Sequence, residues 1–155
     1  MPLKILDAGT LRTITRLFIR QSGVDRRIRT LKVMDGGTLR TVATFADPLS
    51  VTAGGVAGNG TGGSTQTVQT SQTTAIVSGG FSPYTYQWTL ITNEGGTPSF
   101  AVSPTSAATV FRKPNVDPDA SWTDIFQVTV TDAVGSTATA SIGVQFSNFN
   151  FGGTA

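Results

Sequence analysis

The sequence predicts an all-β protein in which three 14-residue β-hairpins precede a β-sandwich. Three observations support this fold class. Charged residues make up only 13% of the chain and glycine is abundant, with 18 copies, which favours short strands and turns over helices. Residues 3–14 recur at 31–42 with eight of twelve positions identical, which marks a repeated structural unit. Residues 75–147 alternate short strand-like runs with turn residues at the spacing of a sandwich.

Residues 1–46 contain three related segments: LKILDAGTLRTI, LFIRQSGVDRRI and LKVMDGGTLRTV. In each, two short runs flank a small residue followed by glycine, which predicts a hairpin with a two-residue turn. The predicted turn glycines are Gly9, Gly23 and Gly37. Counting outward from the turns places Ile5 opposite Arg12, Leu6 opposite Leu11, and Arg20 opposite Asp25. Two-residue links between the hairpins predict a continuous six-strand meander.

The hairpin segment is basic and the rest of the chain is acidic. Residues 1–45 carry nine basic and three acidic side chains, whereas the remainder carries two and six. We expect Leu31, Val33 and Val42 to bury one hairpin face. The arginines predicted to dock the segment on an acidic protein partner are Arg12, Arg16, Arg20, Arg26 and Arg40. A solvated basic face is one alternative. Nucleic acid is less favoured, because Phe18 and Phe45 are the segment's only aromatic residues for base stacking.

Residues 47–74 are rich in Gly, Ser, Thr and Gln, which predicts a linker or an extended arm. The run Gly58–Gly63 matches G-x-G-x-x-G, but the polar sequence after it has no helical period, so we attribute the match to composition. No apolar run reaches the roughly 20 residues of a membrane span. The N-terminus lacks a basic-then-apolar signal pattern, so we expect a soluble chain without membrane contact.

Alternating residues of the predicted sandwich strands mark its core. Tyr86 and Trp88 share one face of the run YTYQWTL, and Phe126, Val128 and Val130 share one face of IFQVTVT. The motif GGFSPYTYQWTL, followed by FQVTVTDAVGSTATASIGV, resembles the polycystic-kidney-disease-type (PKD-type) and bacterial immunoglobulin-like domains.

That resemblance implies an immunoglobulin-like sandwich over residues 75–147, with Trp88 as the core tryptophan and Tyr86 beside it. It also implies a hairpin turn made by Asp132 and Gly135. Residues 148–155 form a Phe/Gly tail that we expect to pack on a neighbouring subunit.

No sequence feature indicates an enzyme or a cofactor. The chain has no cysteine and no histidine, which removes thiol chemistry, Cys/His metal sites and the most common general base. Lys113 is the sole lysine outside the hairpin segment. The residues Asn115, Asp117 and Asp119 space oxygen ligands as calcium loops do, but Phe126 stands where such a loop places its closing glutamate. We therefore favour a solvated turn and expect no metal.

The arrangement as a whole resembles small structural proteins of tailed bacteriophages. Such virion proteins carry short aliphatic-x-aliphatic-x-Asp-Gly-Gly-x-x-Arg hairpin repeats and immunoglobulin-like domains. The resemblance implies a head decoration protein or a tail component that binds capsid or tail subunits after assembly in the host cytoplasm. A homo-oligomer, for example a trimer, would cover the hairpin edges. The alternative is a carbohydrate- or host-cell-surface-binding module that uses Tyr84, Trp122 and Phe149.

Overall fold

The computed structural model describes residues 4–7, 10–13, 17–21, 24–35 and 37–150. The chain separates into two compact units, Met1–Asp47 and Pro48–Ala155. The described residues form strands, bends and turns without a helix, so the all-β prediction is confirmed. Accordingly, that part of the chain holds no helix able to cross a membrane.

The first unit contains three antiparallel hairpins. Its strands are β1 (Lys4–Asp7), β2 (Thr10–Thr13), β3 (Leu17–Gln21), β4 (Val24–Ile28), β5 (Thr30–Asp35) and β6 (Thr38–Thr44). β1 pairs with β2, β3 with β4 and β5 with β6, and two residues separate the strands of each hairpin. The register places Ile5 opposite Arg12 and Leu6 opposite Leu11, which are the partners expected from counting. Arg20 lies opposite Asp25, again as expected.

The expected continuous meander is wrong for the described residues, where the hairpins are three separate two-stranded sheets. Arg29 alone separates β4 from β5. The commonest tight hairpin loops have two residues, and the single residue between β4 and β5 is shorter than that. Of the turn glycines, Gly37 has φ +82°, as the turn requires. Gly9 and Gly23 lie outside the described residues.

The expectation that Leu31, Val33 and Val42 bury one hairpin face is also wrong. The β5–β6 ladder passes from Leu31 opposite Ala43 to Lys32 opposite Thr41, so Val42 is the extra residue of a bulge. Val33 and Val42 are exposed and Leu31 is half-buried. The bulge shifts burial by one residue, to Ala43 and to Phe45 just beyond the strand.

The second unit is a β-sandwich. Its strands are β7 (Ser50–Thr52), β8 (Val56–Thr61), β9 (Gln66–Gln69), β10 (Thr73–Thr74), β11 (Ile76–Ser78), β12 (Thr85–Thr92), β13 (Phe100–Ala101), β14 (Ala108–Thr109), β15 (Phe111–Val116), β16 (Ser121–Thr131) and β17 (Thr137–Phe149). One sheet has the order β12-β16-β17-β8, with β8 parallel to β17. The strands β13-β15-β9 and the pairs β7-β11 and β10-β14 make up smaller sheets.

The core forms between the inner faces of the four-stranded sheet and the three-stranded sheet. Trp88, Val128 and Phe126 project from the former, and Phe111 from the latter. The Phe111 ring meets Trp88 edge-on at a centroid distance of 5.6 Å and Phe126 at 4.3 Å. Val130 is buried with them, and Tyr86 packs against the cluster half-buried. These five inner positions of β12 and β16 are the ones that the period-2 pattern marks.

The interpretation of residues 47–74 as a linker is wrong, because this segment supplies β7 to β10 of the sandwich. The first four residues of the Gly-rich run belong to β8, which pairs along β17 from Val56 opposite Val144 to Thr61 opposite Phe149. Gly58 is required there, since a Cβ would collide with the backbone of Gln69 and Thr70. Small residues therefore mark close approach of two strands, and the G-x-G-x-x-G run leads into no helix.

The predicted tail begins later than residue 148. Asn148 and Phe149 belong to β17, and Asn148 is fully buried. Its side-chain amide donates to the carbonyls of Ser64 and Val116, each at 3.0 Å. These bonds fasten the strand end to the preceding sheets, which explains why the strand continues. Residues 151–155 lie outside the described residues.

Candidate functional site

The β5–β6 hairpin carries large apolar side chains exposed to solvent on both of its faces. Val33 lies opposite Arg40 on one face and Met34 opposite Leu39 on the other. Met34 is 62% and Leu39 60% exposed, while Val33 is 49% exposed. Burying such side chains is worth about 1.5–3 kcal/mol each, so the hairpin has free energy available for binding a partner.

Three of the predicted docking arginines recur at the same strand position in the three hairpins. Arg12, Arg26 and Arg40 occupy equivalent positions, opposite Ile5, Ile19 and Val33 respectively. Arg40 is exposed, and its Nε lies 3.3 Å from an Asp35 carboxylate oxygen. Such an exposed ion pair is worth at most about 1 kcal/mol, so it leaves Arg40 able to change partner.

The structure describes the other candidate docking arginines to different extents. Arg20 is exposed at the surface of β3. Arg16 lies outside the described residues. The structure describes the backbone of Arg12 and Arg26 but not their side chains.

A buried polar cluster joins the two sheets of the sandwich. Lys113 of β15 and Asp124 of β16 form an ion pair of 2.9 Å, with side-chain exposures of 1% and 0%. The Lys113 Nζ also donates to Asn93 Oδ1 at 2.8 Å and lies 5.9 Å from the centre of the Phe146 ring. Asp124 Oδ2, which Lys113 contacts, also accepts a hydrogen bond from the Ser99 hydroxyl. Every polar atom of the pair therefore has a partner, as burial of charge requires.

The loop after β12 covers this cluster. The Glu94 amide donates to Asp124 Oδ1 at 3.0 Å, and the Glu94 carboxylate accepts from the Thr123 amide. Gly95 lies against the face of the Trp122 ring, where a Cβ would collide. The Asn93 side-chain amide donates to the Gly96 carbonyl at 3.1 Å. The loop is thus tied down at both ends, with Asn93 at the surface and Lys113 beneath it.

Sequence reasoning missed this cluster, because Lys113 was noted only as the sole lysine outside the hairpin segment and Asp124 was assigned no role. Asp124 instead lies inside β16, opposite Val144 on the core face. One signal was available: Asp124 is two residues before Phe126 and so shares its face under a period of two. That face predicts burial, and a buried carboxylate needs a cation.

The calcium candidates do not converge on one point. Asp117 accepts from the Thr65 hydroxyl at 2.6 Å, whereas Asp119 accepts from the Asn150 amide at 3.1 Å. Asn115 donates weakly to Thr97 at 3.3 Å. Within the described ranges no three acidic side chains group as metal ligands would. These residues instead fasten the turn before β16 to its neighbours.

The three candidate aromatic residues do not form a common binding surface. Tyr84 is half-buried and donates its hydroxyl to the Gly79 carbonyl at 2.7 Å. Tyr84 immediately precedes β12, which begins beside the C-terminal end of β16. Trp122 is half-buried under Gly95, near the N-terminal end of β16. Strands rise about 3.3 Å per residue, so roughly 30 Å of sheet separates the two. Phe149, by contrast, is 46% exposed.

Asp132 organises the β16–β17 turn, as the resemblance implied. Its carboxylate accepts from the Val134, Ser136 and Phe81 amides at 3.0, 2.8 and 3.1 Å, and Gly135 adopts φ +85°. Burial acts to raise the pKa of Asp132, but the backbone hydrogen bonds from Ser136, Phe81 and Val134 lower it further. The pKa consequently lies below its ordinary value of 3.8.

A shallow open depression of about 420 Å³ lies beside β8. Its walls are Gly55, Val56, Ala57, Thr123, Gly143 and Gln145. None of these lining residues is charged, and the largest polar group among them is the Gln145 amide. These lining residues include no general base that could activate the Thr123 hydroxyl, so we assign no chemistry to the depression.

No family model matches the chain, and no curated protein matches it. Among solved structures, the chain is similar to the PKD domain of human KIAA0319, at 15% identity and a TM-score of 0.45. The match covers 70% of this chain and 88% of that one. It is also similar to the Dscam1 Ig7 domain, at 12% identity and a TM-score of 0.34, over 64% of this chain and 99% of that one. A conjugative transposon lipoprotein from Bacteroides eggerthii matches at 17% identity and a TM-score of 0.35, over 63% and 96%.

Proposed function

We propose that this chain is a non-enzymatic structural protein of a bacteriophage virion, which attaches by its hairpin unit and displays its sandwich. The observation that carries the proposal is the β5–β6 hairpin, whose exposed Met34 and Leu39 lie in a unit separate from the sandwich. A two-stranded hairpin is marginally stable alone, so a partner surface that covers it contributes to both binding and folding.

The partner's chemistry follows from the hairpin unit's charge. Nine basic and three acidic residues lie within positions 1–45, so an acidic protein surface complements it. In the proposed setting, that surface belongs to capsid or tail subunits, and several copies on a symmetric particle add their affinities. Assembly would take place in the host cytoplasm, where the partner subunits are also made.

The test compares full-length variants for binding to virions of the source phage that lack the chain. In the double variant M34S/L39S the apolar contact is lost, and we expect at least a tenfold weaker association in co-sedimentation. The control is I91S, which changes an equally exposed apolar residue, 56% exposed, on the sandwich. Equal binding of M34S/L39S and wild type would refute docking through the hairpin.

The electrostatic part has its own measurement. Because contacts between exposed charges are screened by salt, R40E should weaken association most at low ionic strength and least near 1 M salt. Absence of the chain from purified source virions by mass spectrometry would refute the virion assignment itself. Binding to a glycan array, with virion binding absent, would favour the carbohydrate-binding alternative.

A further inference from the structure

The cluster between the two sheets contains the three groups that spontaneous amide-bond formation requires: an amine, a carboxamide and a carboxyl group that can carry a proton. Lys113 Nζ lies 2.8 Å from Asn93 Oδ1 and 2.9 Å from Asp124 Oδ2. We propose that Lys113 and Asn93 join in an intramolecular isopeptide bond, with Asp124 as the proton carrier.

The geometry brings the reacting atoms close together. A C=O bond is about 1.23 Å long, so the Asn93 carbonyl carbon lies at most about 4 Å from Lys113 Nζ. Reactive arrangements place such atoms about 3–3.5 Å apart, which a small side-chain rotation achieves. The Asn93 amide nitrogen is held by the Gly96 carbonyl at 3.1 Å, which keeps the carbonyl side of the group toward Lys113.

The attack needs a neutral amine, and Lys113 Nζ lies 2.9 Å from Asp124 Oδ2, close enough for a proton to pass between them. Both side chains are buried, with exposures of 1% and 0%. Transfer of one proton from the Lys113 ammonium to the Asp124 carboxylate leaves a neutral amine beside a neutral carboxylic acid. The Phe146 ring, 5.9 Å from Nζ, helps to exclude water that would compete as a nucleophile.

The reaction balances without a redox partner. The Nζ lone pair attacks the Asn93 Cγ, and Asp124 donates its proton to the amide group as the tetrahedral intermediate forms. Nζ then returns a proton to Asp124, the bond between Cγ and Nδ2 breaks, and the nitrogen leaves as ammonia. One amide and one amine give one amide and one ammonia. Since Asn93 is exposed, the ammonia departs directly to solvent.

The product would tie the two layers of the sandwich together covalently. Asn93 follows β12 of the four-stranded sheet, whereas Lys113 lies in β15 of the facing sheet. No hydrogen-bonded ladder joins those two strands in the described part of the chain. A covalent bond at this point therefore links elements that are otherwise held by packing and by the polar contacts of this cluster. This inference does not depend on the proposed function.

The test is the intact mass of the purified full-length chain after denaturation. We expect a mass lower than the sequence mass by one ammonia, and a proteolytic fragment in which residue 93 is joined to residue 113. A full mass after prolonged incubation of the folded protein would overturn the proposal. A loss of one water, with Lys113 joined to Asp124, would overturn the assignment of Asn93.

One side reaction also releases ammonia, because Asn59 precedes Gly60 and such pairs form cyclic imides. The variant N59Q removes it and should still lack one ammonia. The variants K113R and N93A should both have their full mass, K113R because a guanidinium cannot attack. N93A changes an exposed loop residue and so spares the core. An ammonia loss that persists in N93A, or that disappears in N59Q, would refute the cross-link.

Discussion

Replacing Trp88 tests whether the two sheets pack as the structure describes. The indole is 3% exposed and donates its Nε1–H to the Ser106 carbonyl at 3.0 Å. Its ring meets Phe111 edge-on. W88F loses the hydrogen bond, worth about 1 kcal/mol, and leaves a small void worth about another 1 kcal/mol. W88A also loses the aromatic contact and should cost about 3–5 kcal/mol of the free energy of unfolding.

The assay is urea unfolding followed by circular dichroism, with Trp122 fluorescence as a second probe. At a slope of about 2 kcal/mol per molar urea, W88F should lower the midpoint by about 1 M and W88A by about 2 M. The control is I91A on the same strand, 56% exposed, which should change the free energy by less than about 0.5 kcal/mol. A W88A cost below about 1 kcal/mol, or one equal to that of I91A, would refute a core built between the sheets at this residue.

Two further predictions concern backbone contacts of the sandwich. The pKa of Asp132 is depressed in the folded state, so its stabilising contribution is present above its ordinary value of 3.8 and is lost as pH falls through the lower folded value. Urea midpoints measured from pH 6 down to pH 3 should therefore fall more steeply for wild type than for D132N, and parallel curves would contradict this. G58A should lower the midpoint strongly, because its Cβ would collide with the backbone of Gln69, whereas G54A, with open space around it, should not. Similar midpoints for the two glycine variants would show that β8 does not lie against β9.

Local pattern was sufficient for several features of the fold. The position of the glycine in each repeat implied the cross-strand partners, and Ile5 does lie opposite Arg12. Alternation in YTYQWTL and IFQVTVT was sufficient to assign Trp88 and Phe126 to the core. These features depend on residues that are close in sequence, where side-chain direction follows directly from the strand period. The bulge at Val42 was not predictable in this way, because nothing in the repeat distinguishes the residue that leaves the ladder.

The candidate site shows the limit of local reasoning. Asp124 and Lys113 are 11 positions apart and belong to strands of different sheets, so no spacing rule brings them together. The exposed hairpin residues present the reverse case. An apolar residue in a strand predicts burial, but Met34 and Leu39 lie on a two-stranded sheet and are 62% and 60% exposed.

The sequence by itself determined the strand-rich class, the hairpin turns and the inner face of the main sandwich strands, because each depends on backbone preferences and a period of two. The tertiary structure alone decided that residues 47–74 supply four short strands of the sandwich and are not a linker. Small polar residues lack the bulky side chains that predict a strand. Gly58 and its neighbours become β8 only because the distant β17 supplies their hydrogen bonds and leaves no room for larger side chains. The packing of the two sheets likewise buries Lys113 against Asp124 and brings that pair together.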